Sequence, residues 1–159
     1  MKRCMSICCV LTMALGLSFG VSTDAQAASS IKVIDGSKLT QDAESTGYSQ
    51  NVARGKDLMS GYSKVVRMGP GEIYAGGTTI AAHEVERIGV GVMIERAKEE
   101  DTEWTFYDSW QKFLANTDRV ASTKYLDVEG DYYYRVRCVH SAGEDMSSSF
   151  TDGVYIEKP

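Results

Sequence analysis

Strict alternation of residue types is the feature that most restricts what this chain can fold into. The stretch 88–95 places four β-branched residues on one side of a strand and Gly89, Gly91, Met93 and Glu95 on the other. Side chains of a β-strand point to opposite faces with a period of two, so this pattern predicts a strand with one buried face. A helix would need apolar residues at a spacing of three and four.

Further stretches share this period and are separated by turn signals such as Gly69-Pro70-Gly71. They comprise residues 62–68, 72–83, 103–110, 119–128, 132–140 and 149–156. Gly76-Gly77 predicts a bulge or turn inside the second of them, and the best helical candidate is a turn near 111–115. The chain is therefore expected to be all-β, an antiparallel sandwich of about seven strands.

The stretch 132–140 resembles the penultimate strand of fibronectin type III domains, in which a tyrosine opens a strand of alternating apolar residues. The resemblance implies an immunoglobulin/fibronectin-III-like sandwich, with Tyr132 bonding back to nearby backbone as a tyrosine corner. It also directs Tyr134, Val136 and Cys138 into the core. The opposite phase would bury two arginines, which is far costlier.

The first residues predict export. Lys2 and Arg3 precede an uncharged, largely apolar run, and the small-x-small triplet 25–27 closes it. We expect a cleavable signal peptide at 1–27, a polar N-terminal segment at 28–60 and the β-sandwich at 61–159. The polar segment is interpreted equally well as a mobile spacer or as a loop packed on the domain. The predicted location is secreted, with retention at the cell surface as an alternative.

Export and charge limit the partners. Three of the four cysteines lie in the predicted signal, so Cys138 has no intramolecular partner. The full chain has a net charge of −5, and loss of residues 1–27, which carry +1, makes it −6. This acidic balance argues against nucleic acid and against anionic membrane as partners once the signal is removed.

Several pieces in order also resemble an uncharacterised family of small exported proteins of Gram-positive bacteria, catalogued as a domain of unknown function. They are residues 44–48, 54–55, 76–79, the strand at Trp104, 132–137 with His140, and 151–156. The resemblance implies export and an all-β fold, and it supplies no catalytic residues.

No motif predicts a metal, a cofactor or a catalytic group. His83, His140 and Cys138 lack the short spacing of metal ligands. A structural histidine bonded to backbone, at the edge of the core, is the better interpretation of His140. The acidic run 99–103 lacks the glycine of a calcium loop and is interpreted as a solvated hairpin tip.

Aromatic residues suggest binding. Trp104 and Phe106 are expected in the core, whereas Tyr107, Tyr133 and Tyr155 remain candidates for a surface. If the strands at 88–95, 132–140 and 149–156 are neighbours, the candidate binding residues lie together on one outer face. Its residues are Tyr133, Arg135, Arg137, Tyr155, Met93 and Glu95, over a floor formed by Gly89 and Gly91. Alternatively, the two arginines merely pair with Glu95 across strands.

The sequence thus predicts a non-enzymatic binding module for an extracellular protein or glycan, without a cofactor. A small secreted hydrolase with an unrecognised acid pair, or a toxin-like or inhibitor protein, remain as alternatives.

Overall fold

The computed structural model describes residues 31–49 and 55–159. The predicted signal peptide at 1–27 lies outside the described residues. Within the described ranges, no helix has the length and apolarity needed to span a membrane.

The described chain forms eleven β-strands. In order they are β1 (Val33–Ile34), β2 (Ser37–Thr40), β3 (Glu44–Tyr48), β4 (Leu58–Gly69), β5 (Glu72–Val85), β6 (Ile88–Ala97), β7 (Thr105–Leu114), β8 (Thr117–Asp127), β9 (Tyr132–Ala142), β10 (Asp145–Phe150) and β11 (Gly153–Ile156). The long strands coincide with stretches of alternating residues, and the short strands pair with them or with one another.

These strands make two packed sheets. One has seven strands in the order β1-β2-β11-β9-β6-β7, with β10 also paired to β9; the other has the order β3-β4-β5-β8. The pairing is antiparallel except between β2 and β11. The predicted all-β sandwich is confirmed.

The core lies where the alternation predicts it. Tyr134, Val136 and Cys138 of β9 are fully buried against the four β-branched residues of β6. Val65 and Ile73 close the core from the four-stranded sheet. Because one register slip would turn every side chain to the wrong face, this pattern also determines the register.

Cys138 supports a testable prediction. Its sulfur lies 3.8 Å from the Gly76 carbonyl oxygen, and burial raises the pKa of the thiol to about 12. Since the thiolate is the reactive form, native protein should react with a thiol reagent far more slowly than urea-unfolded protein. Cys138→Ala should fold and lose about 1 kcal/mol of unfolding free energy. Fast labelling of the native protein would contradict the buried position.

The Gly76-Gly77 prediction was wrong. Both glycines pair regularly, with Ser63 and Lys64 on one side and with β8 on the other. They are needed for close approach instead, because a Cβ on Gly77 would lie 2.4 Å from the Cys138 sulfur. The irregularity of β5 falls later, between Ile80 and Val85.

Strand β7 also differs from expectation. The predicted turn near 111–115 is strand up to Leu114. Ile94 pairs with Asp108 and the next residue, Glu95, pairs with Phe106, so Tyr107 is an extra residue that forms a bulge. The bulge shifts the phase of the strand. Phe106, expected in the core, is therefore 58% exposed, whereas Tyr107 packs on the core.

The tyrosine corner belongs to a different residue. The Tyr134 hydroxyl donates to the Glu129 carbonyl oxygen at 2.8 Å, five residues upstream. Tyr132, which the resemblance assigned to this role, packs its ring against Tyr134 at a centroid distance of 6.3 Å. Both side chains lie on the inward face of β9, so strand phase does not distinguish them, and the hydrogen bond to Glu129 identifies Tyr134 as the corner residue.

The polar N-terminal segment contributes strands to both sheets. We call residues 33–40, which form β1 and β2, the arm. The arm extends the seven-stranded sheet, and β3 forms the edge of the four-stranded one. Asp35 and Gly36 both have positive φ, as a two-residue hairpin requires, and Ile34 and Leu39 are buried.

Candidate functional site

The predicted face is assembled as the sequence analysis expected. Strands β11, β9 and β6 are neighbours, and Arg137 lies opposite Met93 while Arg135 lies opposite Glu95. Tyr155 is opposite Tyr133. All six candidate residues therefore share the outer face of the seven-stranded sheet. The face is nevertheless divided into a covered half and an open half.

Arg135 lies in the covered half. The prediction that its guanidinium group is exposed was wrong. It does point to the outer face, yet it is only 1% exposed. Its Nε donates to Glu95 Oε2 at 2.7 Å, its Nη2 to Asp35 Oδ2 at 2.8 Å and its Nη1 to Ser37 Oγ at 3.0 Å. The Trp104 ring stacks on it at 4.6 Å. The hairpin turn of the arm thus closes over the arginine.

A second small core surrounds this ion cluster. Ile34 and Leu39 of the arm pack with Ala97 and Tyr133, and Trp104 and Tyr155 flank them. The Trp104 indole donates to the Ile34 carbonyl oxygen at 2.9 Å. Tyr133, a predicted binding residue, is consequently only 8% exposed.

Electrostatic pairing inside the protein occupies both predicted guanidinium groups. Arg137 Nη2 donates to Asp35 Oδ2 at 2.6 Å, and its Nε lies 3.5 Å from Glu95 Oε2. Hydrogen bonds from Arg135 and then from Arg137 lower the pKa of the Asp35 carboxyl. The cross-strand pairing of arginine with Glu95 is therefore present.

The open half is a shallow depression over β6. It has a volume of about 450 Å³ and is lined by Gly91, Val92, Met93, Ser109, Trp110, Gln111, Arg137 and Val139. A second depression of about 500 Å³ continues it past Gly91 toward Phe113 and Met146. The exposed apolar side chains around it are Met93, Phe113, Val139 and Met146.

Only one of the two predicted glycines is an open floor. A Cβ on Gly91 would have Val139 Cβ as its nearest neighbour, at 4.0 Å. A Cβ on Gly89 would lie 2.3 Å from the Phe113 ring, which covers that position. Gly91 is therefore the place where a partner can come closest to the sheet.

Tyr155 borders a different, polar depression of about 480 Å³. Gln41, Lys98, Glu99, Glu100, Asp131 and Tyr133 complete its lining. The acidic run lies in the turn between β6 and β7, where Asp101 accepts a hydrogen bond from the Lys98 amide. In the described part of the chain, no group of three or more side chains has the composition and spacing to hold a metal ion.

His140 is fully buried, and its hydrogen-bond partners are side chains rather than the backbone that the sequence predicted. Thr79 Oγ1 donates to the Gly89 carbonyl oxygen, so it accepts from His140 Nδ1 at 2.9 Å. Nε2 then carries no hydrogen and accepts from the Ser149 hydroxyl at 2.8 Å. Although serine and histidine are bonded as in nucleophilic sites, Ser149 is 1% exposed and faces the core. The trio links the two sheets.

Sequence reasoning missed two features of this face. The Asp35-Gly36 pair is a strong hairpin signal, and it would have revealed the arm. The outward phase of Val139 and Phe113 also follows from alternation, once the bulge in β7 is known. Trp110, whose indole donates to Ser122 Oγ, packs on the core.

The fold and the site define a small β-sandwich in which the outer face of the seven-stranded sheet has a covered half and an open half. No family model matches the chain, and no curated protein matches it. A solved structure that does match is the solution structure of R. palustris CsgH, at 15% sequence identity. The alignment covers 57% of this chain and 87% of CsgH, with a TM-score of 0.38.

Proposed function

We propose that this protein is an exported, non-enzymatic binding module that contacts a protein partner through the open half of its outer face. The observation that carries this proposal is the cluster of exposed apolar side chains around Gly91. Isolated exposed apolar residues are ordinary, whereas a contiguous patch on one face is characteristic of an interaction surface.

The chemistry of the open half favours a protein over a glycan. Met93, Met146 and Val139 are flexible or aliphatic groups that adapt to apolar side chains of a partner. Of the tyrosines that the sequence suggested for a binding surface, Tyr133 is buried beneath the arm and Tyr155 lies at the polar depression. Arg137, with a side chain 39% exposed, forms a polar rim.

Export rests on the sequence. Residues 1–27 carry the order of features of a signal peptide, and the resemblance to exported proteins of Gram-positive bacteria agrees with it. The partner is accordingly an extracellular or cell-surface protein.

Filling the floor of the open half should weaken binding. Gly91→Val adds atoms where the structure leaves room, so the melting temperature should change little. The affinity for the partner should fall at least about tenfold, which corresponds to about 1.4 kcal/mol. The partner is identified by cross-linking and mass spectrometry on the surface of the producing cells and then titrated in purified form.

The matched control is Met68→Asp, set against Met93→Asp. Both methionines are exposed, but Met68 lies on the four-stranded sheet. Met93→Asp should weaken binding and Met68→Asp should not. Equal affinity for Gly91→Val and the unchanged protein would remove the open half from the proposal.

A further inference from the structure

The outer face of the four-stranded sheet carries four tyrosines, arranged as two pairs. Tyr48 of β3 lies opposite Tyr62 of β4, with ring centroids 6.2 Å apart. Tyr74 of β5 lies opposite Tyr125 of β8, with ring centroids 5.2 Å apart. We call this surface the tyrosine face.

These four rings lie outside the hydrophobic core. Inward positions of the same strands are filled by buried residues such as Val65, Ile73 and Ala75, so the tyrosines point to solvent. Tyr48 is 70% exposed and Tyr125 is 73% exposed. Large aromatic side chains left in water at both edges of one sheet face are more typical of recognition than of packing.

Between the pairs the sheet is regular, and the exposed residues Thr46 and Thr123 supply hydroxyl groups. Pairing of β4 with β5 is continuous from Ser60 to Arg67, without a bulge. Gly76 has no side chain there, and the Thr123 methyl group lies over it. Tyr74 is opposite Val66, which lies four residues beyond Tyr62, so the two pairs are about 13 Å apart along the strands. The pairs are also displaced by two strand spacings, or about 10 Å, across the sheet.

Charge on the tyrosine face argues against a charged polymer. Lys64 is paired with Glu44 at 2.9 Å, so this cation is balanced within the face. A nucleic acid or another polyanion needs several unpaired cations, and the whole chain has a net charge of −5. The centre of the face is therefore suited to a neutral ligand.

We propose that the tyrosine face binds a neutral, unbranched polysaccharide that runs diagonally from one tyrosine pair to the other. The apolar C–H side of a sugar ring stacks on a tyrosine ring, while threonine and tyrosine hydroxyls bond the sugar hydroxyls. Protein interfaces instead need a contiguous apolar centre, and here the tyrosine pairs are separated by Thr46, Lys64 and Thr123. This proposal is independent of the protein site on the opposite sheet.

The test is calorimetric titration of the full chain with cellohexaose, chitohexaose and mannohexaose, backed by affinity electrophoresis in the corresponding polysaccharides. At least one neutral hexaose should bind. Tyr48→Ala and Tyr125→Ala should each weaken binding about tenfold, as removal of an aromatic anchor does. Tyr125→Phe, which keeps the ring, should retain most of the affinity.

Phe106→Ala is the matched control, because Phe106 is also an exposed aromatic residue but lies on the seven-stranded sheet. Phe106→Ala and Gly91→Val should leave saccharide binding unchanged, which separates this site from the protein site. Absence of binding to all three saccharides, or unchanged binding by the Tyr48→Ala/Tyr125→Ala double variant, would overturn the proposal. Loss of the protein partner in that double variant would also overturn it, since the face would then recognise protein.

Discussion

Arg135→Ala should lower the free energy of unfolding by about 3–5 kcal/mol, the cost of removing one partner from a buried ion pair. The substitution leaves Glu95, whose side chain is only 14% exposed, without its closest cation. It also removes the contacts to Ser37 and Asp35 that hold the arm. Urea denaturation of both proteins gives the difference directly.

Arg137→Ala is the control for this prediction. It bonds the same Asp35 carboxylate, but its side chain is 39% exposed, so the loss should be at most about 1 kcal/mol. Amide hydrogen exchange adds a local test, because Arg135→Ala should accelerate exchange across residues 33–40 more than in β4 and β5. A loss below 1 kcal/mol for Arg135→Ala would mean that the arm is not anchored through this residue.

Acidification should destabilise the protein by about 3 kcal/mol between pH 6.5 and pH 4 through His140 alone. Burial lowers the pKa of its imidazole from 6.5 in the unfolded chain to about 4 in the folded one. In this interval the unfolded state binds more protons than the folded state. Stability is therefore complete above pH 6.5 and falls as the pH decreases toward 4.

His140→Gln removes the titrating group and should flatten the dependence over this range, even if its stability at pH 7 is lower. His83→Gln is the matched control, because the side chain of His83 is 57% exposed near Asp57, and it should keep the slope of the unchanged protein. Urea denaturation at several pH values measures both. An equally steep slope in His140→Gln would assign the acid sensitivity to other groups.

The class of fold and its central strands could be predicted because they depend on local alternation. Residues such as Val92, Val136 and Cys138 could be assigned to the core since only one phase of β6 and β9 buries apolar side chains. The neighbouring positions of β6, β9 and β11 followed from the resemblance to fibronectin-like sandwiches. Because β6 and β9 are neighbours, Met93 and Arg137 could also be placed together on the outer face.

Strand β7 shows where local pattern is insufficient. One extra residue at Tyr107 reverses the faces of the residues around it, and a bulge is decided by pairing with β6 rather than by the sequence of β7 itself. Phe106 was therefore assigned to the core and lies in solvent. The same limit applies to Gly76-Gly77, where close contacts, and not a turn, require glycine: Gly77 approaches Cys138 of the other sheet, and Gly76 approaches the neighbouring strand β8.

The sequence alone determined which side of the sheet each candidate residue occupies, because the period of a strand is a property of its own backbone. What covers that side is decided by segments distant in the chain. Asp35 is 100 residues from Arg135, and its hairpin turn converts an outward arginine into a buried one. Tertiary structure likewise decided that Gly91 stays open while Phe113 covers Gly89, since burial depends on which side chains cross from the neighbouring strand.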